Sequence, residues 1–391
     1  MGFGKNVVSR LTALALRLYS VVIRQPLMNA APYGFNKGCN EAEDALSKWI
    51  QNGSAKQTCI EYDNLKRCWF TFIPDSVNTA SKVPLVVHLH GAGGCASLPA
   101  MGWGSLAEEN GFAVVWPQGT SHQIPFVPDW FPDNILQLNC WNDGSQLFGA
   151  EKAGIDDMGF LKTMLQQVLS EEDTVIDRKR VYMSGHSNGA VMAQRFAVQT
   201  EGVLAGVLAV GGLVFPNDSC KAEGDRECWK EGQTVPEYNP TPIMIVAGKI
   251  DEVSPYDKRR NALSGAIPSV EGWAQTNNCS TSVEVKHDKE GHARIVYSGC
   301  DNGATVALLS VEDAGHHVFT KGRGQFQISP VNVIARCEFR YLPPPPYEPD
   351  CQLSDLDTTS MAWDYLSQFQ LPTPSPPEAQ HEDKEHEVNQ Q

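Results

Sequence analysis

The segment Gly185-His186-Ser187-Asn188-Gly189 narrows the fold more than any other stretch of the chain. It follows Arg180–Ser184, which reads as a buried strand, and it opens Asn188–Gln199, which reads as a helix. A strand that turns at once into a helix needs unusual backbone dihedrals and close backbone approach, and the two glycines permit both. Such a turn lifts the Ser187 hydroxyl above the sheet, beside a helix N-terminus whose positive end favours developing negative charge. As a bare pentapeptide the pattern would be an ordinary serine turn. Between a strand and a helix it makes Ser187 a candidate nucleophile.

The surrounding chain repeats the same alternation. Val83–His90, Phe112–Trp116, Ala205–Val210, Ile243–Ala247 and Thr305–Val311 read as short buried strands. Ile155–Leu169 carries apolar residues at helical spacing, and a further helix is expected near Val270–Asn277. Strands alternating with helices predict an α/β fold: a mostly parallel central sheet with helices on both faces. The expected catalytic domain spans 39–371, with a proline-rich insertion at 322–352 and a last helix at Met361–Phe369. The acidic tail 372–391 has a composition expected to be disordered. Two excursions, Pro117–Ala153 and Leu213–Thr241, are long for a compact domain. They read either as substrate walls or as surface segments held by disulfides.

A serine hydroxyl needs a base and an orienting acid, and in a strand-turn-helix nucleophile fold these follow in the order acid, histidine. Asp251 lies just past the strand Ile243–Ala247, with Glu252 and Asp257 as nearby rivals. His316 lies just past the strand Thr305–Val311, with His317 as its rival. His316 would take the serine proton and Asp251 would orient the imidazole. The glycines of His90-Gly91-Ala92-Gly93-Gly94 let backbone N–H groups approach an oxyanion, so Ala92 or Gly93 is expected to join the Asn188 N–H as donors. His90 would orient that loop. Trp130 and Trp141, within the first excursion, offer flat surfaces to an aromatic acid or a sugar and are candidate substrate contacts. Asp156 and Asp157 open a helix, which reads as capping and not as a metal site.

A net charge of -15 argues against a nucleic-acid partner. Eleven cysteines, with Cys220/Cys228 and Cys279/Cys300 in loop-like sequence, suggest disulfides and an oxidising compartment. No Cys-x-x-Cys pair occurs, and neither a metal nor another cofactor is expected. The segment 1–38 is basic and apolar, with Arg10, Arg17 and Arg24 seven residues apart. It reads as a signal peptide or an amphipathic transit peptide, and Leu11–Ile23 is too short and interrupted to span a bilayer. An extracellular or secretory location is expected, with organelle import as the alternative. Pro344-Pro345-Pro346-Tyr347 fits a WW-domain ligand, but a rigid polyproline connector is the preferred reading.

Several stretches together resemble the polyhydroxybutyrate depolymerase and feruloyl esterase group of carbohydrate esterases, family one, within the α/β-hydrolase superfamily. They are PLVVHLHGAGG, GFAVVWPQGT, GIDDMGFLKTML, DRKRVYMSGHSNGAVMAQRFA, PIMIVAGKIDEVSPY, WAQTNNC, YSGC and AGHHVF, in family order across most of residues 69–319. The resemblance implies Ser187 as nucleophile, Asp251 as acid, His316 as base and a Cys279–Cys300 bridge. It implies a serine carboxylic-ester hydrolase forming an acyl-enzyme, with feruloyl-polysaccharide or hydroxyalkanoate esters as substrates. Two departures weaken the substrate inference. Ala247-Gly248 stands where the family usually has His-Gly, and His317-Val318-Phe319 where it usually continues toward Trp-Pro. A serine peptidase, a small-ester lipase and a non-catalytic binder remain the alternatives on this fold.

Overall fold

A computed structural model describes residues 49–372 apart from 78–80, 97–101, 124–136, 146, 173–174, 201, 215–220, 223–225, 228–237, 252, 258–263, 281–282, 289–290, 313 and 317–355. The segment 1–38, the proline-rich insertion, Cys220, Cys228 and the acidic tail beyond Pro372 all lie outside the described residues.

The strands are β1 (Ala55–Tyr62), β2 (Leu65–Phe72), β3 (Val83–Leu89), β4 (Ala113–Pro117), β5 (Thr120–Gln123), β6 (Gln137–Cys140), β7 (Ile176–His186), β8 (Gly206–Val210), β9 (Ile243–Gly248), β10 (Val283–His287), β11 (Ala293–Tyr297) and β12 (Val306–Val311). The main helices are α1 (Trp103–Asn110), α2 (Asp157–Glu171), α3 (Asn188–Val198), α4 (Ala266–Thr276) and α5 (Thr358–Leu366). Ten strands form one sheet in the order β1-β2-β4-β3-β7-β8-β9-β12-β11-β10. The six inner strands are parallel, and an antiparallel pair flanks them on each side. This is the expected α/β-hydrolase architecture.

The inner strands are buried along their whole length because both faces are covered. One face packs Phe160 and Met164 of α2, Met192 and Phe196 of α3 and Trp273 of α4. The other packs Trp103 of α1 and Trp363 of α5. The Trp363 ring stacks on Phe112 with centroids 4.0 Å apart, so the chain returns after residue 355 to close the sheet. A core tryptophan of this kind costs about 3–5 kcal/mol to truncate.

Sequence periodicity locates the inner strands and four of the five main helices to within a few residues. It misses α1, the β1–β2 hairpin, the β10–β11 pair and the small β5–β6 hairpin. In β10 every residue is exposed, so no alternating apolar pattern marks it as a strand. Asp156 caps α2, accepting the Gly159 N–H at 2.9 Å and the Tyr62 hydroxyl at 2.6 Å.

Candidate active site

Ser187 sits between β7 and α3 with φ 54° and ψ -122°, a left-handed backbone for a residue with a side chain. The cost is borne by packing that leaves no alternative. A Cβ on Gly185 would strike the backbone of Gly189, and one on Gly189 would strike the carbonyls of Leu89 and His90. The Ser187 N–H donates to Val210 O at 2.8 Å, tying the turn to the end of β8. The serine remains partly accessible.

His316 follows β12, and its Nδ1 lies 2.8 Å from Asp251 Oδ2. The carboxylate can only accept, so Nδ1 carries the proton and Nε2 is left as the basic nitrogen. Asp251 is held in turn: its Oδ1 accepts the N–H groups of Val253 and Ser254, both at 2.8 Å. Both side chains are buried. Asp257, a rival from sequence, is exposed; Glu252 and His317 lie outside the described residues.

Two sets of contacts bring His316 beside Ser187. His186 Nε2 donates to His316 O at 2.9 Å, with the two rings 4.9 Å apart. The turn after β8 also touches both residues. A Cβ on Gly211 would lie 3.2 Å from the His316 ring, and one on Gly212 would lie 2.9 Å from Ser187 O. Burial in this environment pushes the His186 imidazole down to about 3, so it stays neutral.

The glycine loop after β3 departs from expectation at one residue. The Gly93 N–H is spent on Asn139 O at 2.7 Å, which removes Gly93 from the candidate donors. Among the described residues no hydrogen bond uses the Ala92 or Asn188 N–H. His90 holds the loop as expected: Nε2 accepts the Gly119 N–H at 3.0 Å and Nδ1 donates to Gly91 O at 2.8 Å. That pairing requires a neutral ring, and burial lowers its pKa to about 4.

Trp141 is also corrected. It is fully buried, with Nε1 donating to His90 O at 2.9 Å and its ring 5.0 Å from that of His90. It anchors the first excursion and presents no face to a ligand. Trp130 lies outside the described residues. Asp157 is equally structural. It forms a buried ion pair with Arg67 at 2.5 Å and accepts the Asn142 N–H at 2.7 Å, while burial raises its pKa.

Sequence reasoning passes over His186 and the Asn188 side chain. Asn188 Oδ1 accepts the Trp141 N–H at 2.7 Å, while Nδ2 donates to Trp141 O at 3.0 Å and Asp143 Oδ2 at 2.7 Å. A polar residue opening an otherwise buried helix was the available signal. Among the described residues the bridges Cys59–Cys68 and Cys279–Cys300 are formed, the second as the resemblance implied.

The sequence profile described as "Esterase PHB depolymerase" matches residues 69–258, the segment holding the elbow, the glycine loop and Asp251. The match spans just under half of the chain. Feruloyl esterase B of Piromyces equi is 27% identical over 169 residues, covering 41% of this chain and 29% of its own. A bifunctional acetylxylan esterase/xylanase of Neocallimastix patriciarum is 23% identical over 246 residues, covering 61% of this chain and 29% of its own. This chain therefore spans under a third of either protein. Feruloyl esterase B of Talaromyces stipitatus is 24% identical over 274 residues, with 64% and 68% covered. Among solved structures, an acetyl xylan esterase from Aspergillus awamori superposes with a TM-score of 0.48 at 14% identity, covering 69% of this chain and 96% of its own.

Proposed function

We propose that this protein is a serine carboxylic-ester hydrolase working through Ser187, His316 and Asp251. The observation that carries the reading is the buried Asp251–His316 pair at 2.8 Å, fixed against the strained Ser187 turn. His316 Nε2 takes the hydroxyl proton as Ser187 Oγ attacks the ester carbonyl. The resulting oxyanion accepts the N–H groups of Ala92 and Asn188. Collapse breaks the ester C–O bond, and His316 returns the proton to the departing alcohol. Water, deprotonated by the same imidazole, then cleaves the acyl-enzyme and restores Ser187.

Esters of hydroxycinnamic acids or of short hydroxyalkanoates on a polymer are the proposed substrates. The feruloyl esterases among the relatives support the first, and the depolymerase profile supports the second. The Cys59–Cys68 and Cys279–Cys300 bridges support a location in the secretory pathway or outside the cell.

A fluorophosphonate probe should label Ser187 in the native protein and not in S187A. Methyl ferulate, 4-nitrophenyl acetate, 3-hydroxybutyrate oligomers, 4-nitrophenyl palmitate and a peptide anilide would then rank the substrates. S187A should lose on the order of 10³-fold or more in kcat with its circular dichroism intact. An unlabelled native protein would favour the binding-protein alternative, and a preference for the anilide or the palmitate would favour the peptidase or the lipase.

A further inference from the structure

We propose that Asn139, Trp141 and Asp143 are positioning residues, forming a brace that fixes the spacing between the Ala92 and Asn188 N–H groups. This rests on the reading of those two groups as the oxyanion donors.

The two donors sit on different elements. Ala92 lies in the loop after β3, and Asn188 opens α3 after β7. The loop has few side chains of its own to hold it: Gly91, Gly93 and Gly94 surround Ala92, and Gly93 has a φ of 81°. Glycine loops of this kind are conformationally permissive unless something external fixes them. The segment 139–143 supplies that fixing from outside.

On the loop side it makes three bonds. Asn139 O accepts the Gly93 N–H at 2.7 Å, Asn139 Nδ2 donates to Gly94 O at 2.9 Å and Trp141 Nε1 donates to His90 O at 2.9 Å. On the helix side it makes three more, all to the Asn188 amide. These are the pair with the Trp141 main chain, which imitates strand pairing, and the bond to the Asp143 carboxylate. His90, Gly93 and Gly94 on one element and the Asn188 side chain on the other are thus held by five consecutive residues of one segment.

The brace is itself anchored from behind. Between Trp141 and Asp143, Asn142 donates its N–H to Asp157 and its Nδ2–H to Ile155 O, both at 2.7 Å, and accepts Arg195 Nη1 at 2.8 Å. Asp143 Oδ1 accepts the Ser145 N–H at 2.8 Å. Asn139, Trp141 and Asp143 are all buried, so no contact with a substrate accounts for them. Donors aimed at a developing charge act only when held in place beforehand, and a displacement on the order of 1 Å can cost about 10²-fold in rate.

The test uses the full chain, with N139A, W141F, D143A and D143N. The measurements are kcat and KM on 4-nitrophenyl acetate, Tm, and inhibition by an aryl trifluoromethyl ketone, whose adduct with Ser187 carries an oxyanion. N139A, W141F and D143A should each lose about tenfold or more in kcat with KM within about twofold. Affinity for the ketone should fall by a similar factor, because both report oxyanion stabilisation. D143N, which keeps an acceptor for Asn188 Nδ2, should recover most of the D143A loss.

A lowered Tm with kcat and ketone affinity unchanged in the soluble variants overturns the brace and leaves the esterase reading intact. Should N139A or D143A not fold, W141F carries the same test, because it keeps an aromatic ring and both main-chain bonds to Asn188 while losing the bond to His90. A native protein that hydrolyses no ester and leaves Ser187 unlabelled overturns the esterase reading, and the brace with it.

Discussion

His186 and His316 are joined by a hydrogen bond of 2.9 Å from the ring of the first to the main-chain oxygen of the second. The bond links the residue before the candidate nucleophile to the backbone of the candidate base, across 130 positions of sequence. A carbonyl can only accept, so His186 must hold its proton on Nε2, and its burial keeps the ring neutral with a pKa of about 3. H186L removes the donor and strands a buried carbonyl, at a cost of about 1–3 kcal/mol. It also frees the loop bearing His316. We expect H186L to lose at least about tenfold in kcat, measured on 4-nitrophenyl acetate, and H186Q to retain more because its amide can still donate. Equal rates for H186L and the native protein would mean that the loop is fixed by the Asp251 pairing alone.

The chain's buried imidazoles also dictate how it responds to acid. Burial lowers His88 and His186 to about 3 and His90 to about 4, from an ordinary value of 6.5. The unfolded chain therefore binds protons more readily than the folded one. Stability is intact above about pH 6.5 and falls progressively as the pH drops toward the folded values. Tm should decline steadily between about pH 6.5 and 4. His88 is the informative site, since its Nε2 is buried without a hydrogen-bond partner and its Nδ1 meets Ser184 Oγ at 3.1 Å. H88Q, which does not titrate, should flatten the slope of Tm against pH. A slope unchanged in H88Q would place the acid sensitivity elsewhere.

How much of this was legible in the sequence follows from what each feature costs locally. The turn at Ser187 was legible because its geometry demands glycine at 185 and 189, where side chains would strike the neighbouring backbone. The inner strands were legible because burial on both faces makes them continuous apolar runs. The outer strand β10 was not, since exposure removes the alternation that would mark it. Trp141 misled because an aromatic in a polar excursion looks like a ligand platform. Its role as a buried donor to His90 depends on a loop that periodicity cannot fold. Gly93 misled for a related reason. Glycine signals that backbone may approach closely, but not which partner approaches, and here Asn139 takes its N–H.

The Cys279–Cys300 bridge closes a segment with a sequence separation of 21 that contains the exposed edge strand β10 and its partner β11. In the chain-entropy view a bridge of that span stabilises by about 3 kcal/mol, mainly by restricting the unfolded chain. The paired variant C279A/C300A should therefore unfold at lower temperature and in less denaturant than the native protein. Its kcat/KM on 4-nitrophenyl acetate should stay within about twofold, because the described residues touching Ser187 and His316 lie outside that loop. An unchanged denaturation midpoint would show that packing of Trp273 and β11 against the sheet already holds the segment.

Gly211 gives the sharpest separation of strain from function. Its φ is 63°, so any side chain there carries a backbone penalty of about 1 kcal/mol. A Cβ would also stand 3.2 Å from Cε1 and Nδ1 of His316, tight enough that the imidazole must give way. The ring cannot move freely, since Nδ1 is held by Asp251 and the main chain by His186. Gly53 is the natural control: its φ is 83°, and nothing lies within 4 Å of a Cβ placed there. G211A should lose at least as much stability as G53A in a thermal melt, because both meet a positive-φ penalty and G211A adds the contact with His316. Only G211A should lose activity, by about tenfold or more in kcat, as the base is pushed off its line toward Ser187. Parallel activity in the two variants would show that His316 tolerates displacement and would count against its role as the base.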